Sequence, residues 1–262
     1  MIREREAALI AHLGSYDHMV VAFSGGADSA FLLAAAVEAL GADQVVAATA
    51  VSGSLPASEL EAAESFAAGL GVEHLMPLTR ELDRPGYAAN GADRCYFCKA
   101  ELIEVLIPVA AGRTIATGTN ADDAREGFRP GIRAAMERGA VTPLLDVGFT
   151  KDEVRAASRR RGLVTWDKPA AACLSSRVAY GIAITPARLA RVERAEAALR
   201  GALAGTAVRN IRVRDLGDHA RVEVDRSCLS LVTAEVLDAV TGWVRVELDP
   251  LGFRSGSMNE LL

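Results

Sequence analysis

The sequence has no long hydrophobic run. Its longest apolar stretches, residues 31–37 and 105–111, fall far short of the roughly 20 residues a membrane-spanning helix needs. Residues 1–14 mix charges into a helical pattern without an apolar core, so they do not read as a signal peptide, and a cytoplasmic protein is expected. Positive charge is not in excess either. The 29 Lys and Arg stand against 34 Asp and Glu, a net of −5, which lacks the basic footprint of proteins that grip long nucleic acids. Arginines are dense only locally, at 159–161 and 209–214. They suit a small anion or a subunit contact, or for Arg159–Arg161 simply a solvated helix face. Cysteine is scarce: Cys95, Cys98, Cys173 and Cys228 do not make a disulfide framework in a reducing compartment.

What is present describes a folded protein. Half of the 262 residues are hydrophobic and 24% are charged, which excludes disorder and allows one large domain or two modest ones. Apolar strands at 18–23, 44–51, 74–78 and 114–117 alternate with helices at 29–40, 57–70, 99–109 and 151–161, the last with Thr150 as N-cap ahead of Glu153. Such alternation predicts an α/β fold, a parallel sheet with helices on both faces and ligands outside the carboxyl ends of its strands. A small α+β domain follows, with a helix at 186–203, strands at 208–214 and 220–225, a helix near 228–240 and a strand at 243–248. The expected domains are 1–178 and 179–262, with the boundary close to Cys173.

In the second domain, a four-residue loop at 216–219 makes Asp215 face Ala220, Val213 face Val222 and Arg212 face Glu223. Alternation then turns Ile211, Val213, Val222 and Val224 to the core, and Arg212, Arg214, Arg221 and Glu223 to the other face. That face is either solvated or neutralised by an anion or a neighbouring subunit.

The sharpest feature is Ser24-Gly25-Gly26-Ala27-Asp28-Ser29, between a strand and a helix. Glycines permit a tight turn of inward N–H groups, and the helix adds its positive end, so the segment reads as a phosphate cradle rather than an ordinary Gly-rich turn. It has neither the lysine of a GxxxxGK[ST] loop nor GxGxxG spacing. Cys95-Tyr-Phe-Cys98 has a gap suited to a metal, a cluster or a redox pair. Cys173 lies between Lys168 and Arg177, cations able to favour its thiolate, although apolar neighbours also fit a buried structural cysteine. Cys228 and the four histidines read as structural.

The Ser24–Ser29 segment resembles the PP-loop of the N-type ATP pyrophosphatases. Three more segments, with the C-terminal 252–259 (Gly-Phe-Arg-Ser-Gly-Ser-Met-Asn), narrow the resemblance to the LarE family. They are 94–99 (Arg-Cys-Tyr-Phe-Cys-Lys), 117–120 (Thr-Gly-Thr-Asn) with Asp122, Asp123 and Arg129-Pro130-Gly131, and 168–177 (Lys-Pro-Ala-Ala-Ala-Cys-Leu-Ser-Ser-Arg). The resemblance implies an ATP-dependent sulfur transferase that adenylates a pyridinium dicarboxylate mononucleotide and makes its thiocarboxylate, for the nickel-pincer nucleotide cofactor. It implies that Phe23, Ser24, Gly25, Gly26, Asp28, Ser29, Gly118 and Asn120 bind ATP, with Asp28 on Mg²⁺. Ser176, Arg177, Arg129, Arg212, Arg214 and Glu223 are implied in substrate or phosphate binding, and a trimer-based homo-oligomer, trimer or hexamer, is implied as the assembly. Members with one cysteine, at the position of Cys173, give up its sulfur. Members with three hold a [4Fe-4S] cluster, and Cys95, Cys98 and Cys173 favour that form, ahead of a single-use Cys173 and of a zinc or redox CxxC.

Other functions remain open at this point. A tRNA thiolase of the same superfamily needs a large polyanionic partner, against which the net charge and the lack of a basic or zinc-ribbon extension count. An amide-forming ligase needs none of the three cysteines and usually an ammonia source, and a nucleotide sensor needs none of the cysteines either.

Overall fold

The computed structural model describes residues 2–125, 129–169, 172–254 and 256–258. Of the quoted motifs, Ala170, Ala171, Ser255 and Asn259 lie outside the described residues. The chain divides into two compact units, Met1–Glu81 with Cys95–Ala171, and Leu82–Arg94 with Ala172–Leu262. No helix among the described residues is long and apolar enough to cross a membrane.

The first unit holds a four-stranded, all-parallel sheet of β1 (Met19–Ala22), β2 (Val45–Ala48), β3 (Glu73–Leu75) and β4 (Thr114–Thr117), in the order β3-β2-β1-β4. The order reverses between β1 and β4, which makes the gap beyond their carboxyl ends the natural ligand crevice. Helices α1 (Ile2–Leu13), α2 (Ala27–Leu40), α3 (Ala57–Leu70), α4 (Pro85–Ala88, of the second unit), α5 (Arg94–Ala110), α6 (Ala121–Arg125), α7 (Pro130–Met136), α8 (Pro143–Asp146) and α9 (Lys151–Arg160) follow in chain order.

Both faces of the sheet are covered, as expected, because its central strands β1 and β2 are apolar at every position. Met19, Val21 and Phe23 pack with Leu9, Leu13, Phe31, Ala63, Phe149 and Val154 from α1, α2, α3 and the chain around α9. Val20 and Ala22 turn the other way, onto Ile103 and Leu106 of α5 and Ala135 of α7. Truncating Phe31, fully buried at the centre of the first layer, to Ala costs about 3–5 kcal/mol. Helix α9 has its expected capping box: Thr150 Oγ1 accepts from Glu153 N–H, and the Glu153 carboxylate accepts from Thr150 N–H. The strand expected at 74–78 ends at Leu75, because Pro77 has no N–H for the ladder; its carbonyl still accepts from Val51 N–H at 2.9 Å. Helix α5 starts at Arg94, earlier than the expected residue 99, so both CxxC thiols lie in its first turns.

The arginine run at 159–161 is used inside this unit. Arg160 and Arg161 pair with Glu6, Arg161 also pairs with Glu38, and Arg159 stacks on Trp166 at 4.8 Å. Arg159 and Arg160 remain exposed, so the expected solvated helix face is present, with its charges paired.

The second unit contains α10 (Pro186–Ala202), α11 (Ala234–Asp238) and a sheet of order β5-β6-β7, from β5 (Ile211–Asp215), β6 (His219–Val224) and β7 (Arg245–Leu248). The hairpin has the expected register, with Arg212 opposite Glu223 and Val213 opposite Val222. Ile211, Val213, Val222 and Val224 form its core with Ala195 and Leu199 of α10. The single helix expected near 228–240 is instead a 3₁₀ turn, Arg226–Leu231, and the short α11, restarted by Thr233 accepting from Val236 N–H. Cys228 is buried, as expected.

No shift of composition marks 82–94 as part of this unit. Its side chains do so instead. Tyr87 Oη meets Ser175 Oγ at 2.6 Å, and the fully buried Asn90 donates to the carbonyls of Val178, Ala179 and Ile182. Arg94 donates to Asn90 Oδ1 and to the Ser175 carbonyl.

Candidate active site

The chain leaves β1 through Phe23, whose buried ring lies against Phe66 and His74 and whose N–H donates to the Ala48 carbonyl at 2.8 Å. Gly25 takes φ +70°, a conformation that side chains disfavour, and turns the loop into α2. Gly26 caps α2 without a side-chain hydrogen bond, which leaves the first N–H groups of the helix open to a ligand. Ser24 and Ser29 close the loop, their hydroxyls 3.2 Å apart, with Ser29 Oγ donating to the Gly26 carbonyl at 3.2 Å. Gly118, just past β4, reaches this turn from the neighbouring strand. A Cβ on it would stand 2.8 Å from the Ser29 nitrogen.

Two carboxylates meet at the start of α2. Burial, then the charge of Asp123, raises the Asp28 pKa to about 6; Lys151, the Asn120 amide and Arg155 pull it back. Asp123 is held by Lys151 at 3.0 Å and by Arg129 at 3.8 Å. Asn120 is fully buried; its Oδ1 accepts from the N–H groups of Asp122 and Asp123, while its Nδ2 makes no hydrogen bond of ordinary geometry. A repelling carboxylate pair beside the Asn120 amide fits Mg²⁺, which is held through one or two carboxylates and the phosphates of its nucleotide. The sequence pointed to Asp28 but not to Asp123 or Lys151 as site residues. The signal for Asp123 lay in the Thr-Gly-Thr-Asn segment and its following aspartates; Lys151, at the start of α9, had none.

Cys95 is exposed and Cys98 half-buried at the start of α5. Helix α7 abuts this turn through Gly131, where a Cβ would stand 3.2 Å from the Cys95 carbonyl. Tyr96 between the thiols lies under Arg133 and Arg138 and donates to Glu137 at 2.7 Å. Burial depresses the Lys99 pKa, against the two thiols and Asp123, which hold it up.

In the second unit, half-buried Cys173 precedes a 3₁₀ turn, Leu174–Arg177. Its carbonyl accepts from Ser176 N–H, Ser176 Oγ and Arg177 Nη1. Arg177 is buried and pairs twice with Glu196, at 2.9 and 3.2 Å, and also binds the Ala172 carbonyl. It fixes the main chain around Cys173, and its charge goes to Glu196. Lys168 likewise gives its ammonium to Glu59 and the Gly25 carbonyl in the first unit. Both cations that flank Cys173 in the sequence thus have carboxylate partners.

The charged face of the hairpin is not solvated. Arg212, Arg214 and Glu223 are 9%, 5% and 1% exposed. Arg214 pairs with Glu223 at 2.7 Å and donates to Ser257 Oγ and the Ser176 carbonyl. Glu223 thus serves Arg214, although Arg212 is its cross-strand neighbour. Arg212 lies over the Phe253 ring, and burial and then the Arg177 charge push its pKa down to about 10. Arg221 departs from the group and pairs with Glu247 of β7.

Among the described residues, no three His, Cys, Asp or Glu side chains are gathered to hold a metal ion. Cys95 and Cys98 belong to one unit and Cys173 to the other.

Fold and site together define a doubly wound α/β protein with a phosphate-shaped loop at its switch point. No protein-family model matches the chain. Over 266 residues it is 34% identical to pyridinium-3,5-bisthiocarboxylic acid mononucleotide synthase of Lactiplantibacillus plantarum, across 98% of this chain and 95% of that one. An uncharacterised protein of Synechocystis sp. is 39% identical over 272 residues, across 100% and 99% of the two chains. The chain belongs to the LarE family of pyridinium-3,5-bisthiocarboxylic acid mononucleotide synthases, a family of enzymes, as its motifs implied.

Proposed function

We propose that the protein is an ATP-dependent sulfur transferase acting on a pyridinium dicarboxylate mononucleotide in the making of the nickel-pincer nucleotide. The observation that carries this reading is the full-length similarity to the Lactiplantibacillus plantarum synthase; the open amides of the phosphate loop support it. A substrate carboxylate oxygen attacks the α-phosphorus of ATP, and pyrophosphate departs into the cradle of Ser24, Gly25, Gly26 and Ser29, with Phe23, Gly118 and Asn120 shaping the nucleotide site. Mg²⁺ on Asp28 and Asp123 supplies neutralising charge for the phosphates. A sulfur nucleophile then attacks the acyl carbon, and AMP leaves with the former carboxylate oxygen.

The sulfur reaches the substrate by one of two routes. A [4Fe-4S] cluster on Cys95, Cys98 and Cys173 is the source that the three-cysteine pattern favours. The second reading is the single-use route, which needs Cys173 alone. In it the Cys173 thiolate forms a thioester, a base removes its Cα proton, and the Cβ–S bond breaks with both electrons going to sulfur. Thiocarboxylate and dehydroalanine result.

Ser176, Arg177, Arg212, Arg214 and Glu223 form the substrate-phosphate region, which neighbouring subunits of a trimer-based homo-oligomer complete, and Arg129 assists at the nucleotide end. The enzyme works in the cytoplasm without nucleic acid. Purified protein given ATP, Mg²⁺ and the dicarboxylate should release AMP and pyrophosphate and form thiocarboxylate. Release of ADP and orthophosphate would refute the reading.

A further inference from the structure

The phosphate loop has no lysine of its own, yet one arrives from 143 residues downstream. Arg155 of α9 fixes the approach, donating to the carbonyls of Trp166 (3.0 Å) and Lys168 (2.9 Å). From there the Lys168 ammonium donates to the Gly25 carbonyl at 3.0 Å and pairs with Glu59 of α3 at 2.7 Å. Nζ lies against Gly25: a Cβ on that residue would be in van der Waals contact with it, at 3.7 Å. The pair is not sealed off, since the Lys168 and Glu59 side chains are 20% and 25% exposed.

A carboxylate beside a triphosphate site is an electrostatic misfit unless it has another task. The loop amides and the end of α2 contribute only partial charges, whereas an ammonium brings a full one. We propose that Lys168 is the phosphate-binding cation of this loop and that Glu59 holds it in place while the nucleotide is absent. When phosphate enters, Nζ leaves the Glu59 carboxylate for a non-bridging phosphate oxygen and keeps its contact with the loop backbone. Lys168 thereby neutralises the departing pyrophosphate. No covalent bond to the lysine forms, and it keeps its proton throughout.

The inference rests on the ATP reading above, and one titration separates the two. Binding of Mg²⁺–pyrophosphate to the full chain is measured by calorimetry for the wild type, Lys168→Met, Lys168→Arg, Glu59→Gln and the double variant Lys168→Met/Glu59→Gln. Removing a charge-assisted phosphate contact should weaken binding by about tenfold or more in Lys168→Met. Lys168→Arg should recover most of the affinity. Glu59→Gln should bind more tightly than wild type, because the competing carboxylate is gone; a purely structural ion pair would make both single variants worse. The double variant, which leaves no unpaired charge to disturb folding, should bind as weakly as Lys168→Met. Wild type that binds no pyrophosphate would bring down the ATP reading itself. Wild-type binding matched within about twofold by Lys168→Met or by the double variant would overturn the lysine assignment alone, and so would weaker binding by Glu59→Gln.

Discussion

Gly118 and Ser29 approach so closely that a single added methyl group at residue 118 would stand 2.8 Å from the Ser29 nitrogen. The next two nearest atoms, both at 3.0 Å, are also main chain, of Asp28 and Ser29, so the closest contacts cannot be relieved by a flexible side chain. The contact ties the end of β4 to the phosphate loop after β1, across the place where strand order reverses.

Gly118→Ala should therefore displace the first turn of α2. Overpacking of this kind costs about 1–3 kcal/mol. The far-UV spectrum should stay native, while pyrophosphate release at fixed ATP falls by about tenfold or more, the scale on which small misplacements act. Unchanged kinetics would mean that the loop can shift without loss.

Asp28→Asn should separate stability from activity. In the wild type the folded-state pKa, about 6, lies above the ordinary 3.8, so the fold binds a proton more tightly than the unfolded chain does. That stabilising contribution is complete below about pH 4 and is lost as pH rises through 6. The Tm of Asp28→Asn relative to wild type should rise between pH 4 and 6 and level off above, while adenylation is lost. A Tm difference that does not change with pH would show that Asp28 ionises freely.

Anaerobic purification followed by iron and sulfide analysis decides the source of sulfur. A bound cluster requires about four irons per chain, and Cys95→Ala, Cys98→Ala or Cys173→Ala should each remove the brown colour. Iron-free protein that turns over once, with Cys173 converted to dehydroalanine in its mass spectrum, would establish the single-use route instead.

Arg177 and Arg212 should respond differently to truncation. Arg177→Ala leaves Glu196, 1% exposed, with the Val213 N–H at 3.1 Å and Arg200 at 3.7 Å but without its bidentate partner, and breaking a buried pair costs about 3–5 kcal/mol. Arg212→Ala relieves repulsion by Arg177 and Arg214, so denaturant unfolding should shift far less. The double variant Arg212→Ala/Glu223→Ala should weaken nucleotide-substrate binding and alter oligomer size in chromatography. If neither changes, this buried face serves only the fold.

What the sequence determined by itself was local and periodic. Strand β1 is apolar at each position because helices cover both its sides; Thr150 and Glu153 cap α9 because their spacing matches one turn; and the 216–219 loop sets the pairing of Arg212 with Glu223. Ser24–Ser29 announced a phosphate loop, since its glycines and hydroxyls lie within six consecutive residues. Tertiary structure decided whatever depends on partners far apart in the chain. Alternation assigned Arg212, Arg214 and Glu223 to the outer face, but the surrounding chain buries them. The charges flanking Cys173 went to Glu196 and Glu59, distant residues that no spacing reveals. Lys168 reached Gly25, and Asp123 raised the pKa of Asp28, because charges interact across space without regard to sequence separation.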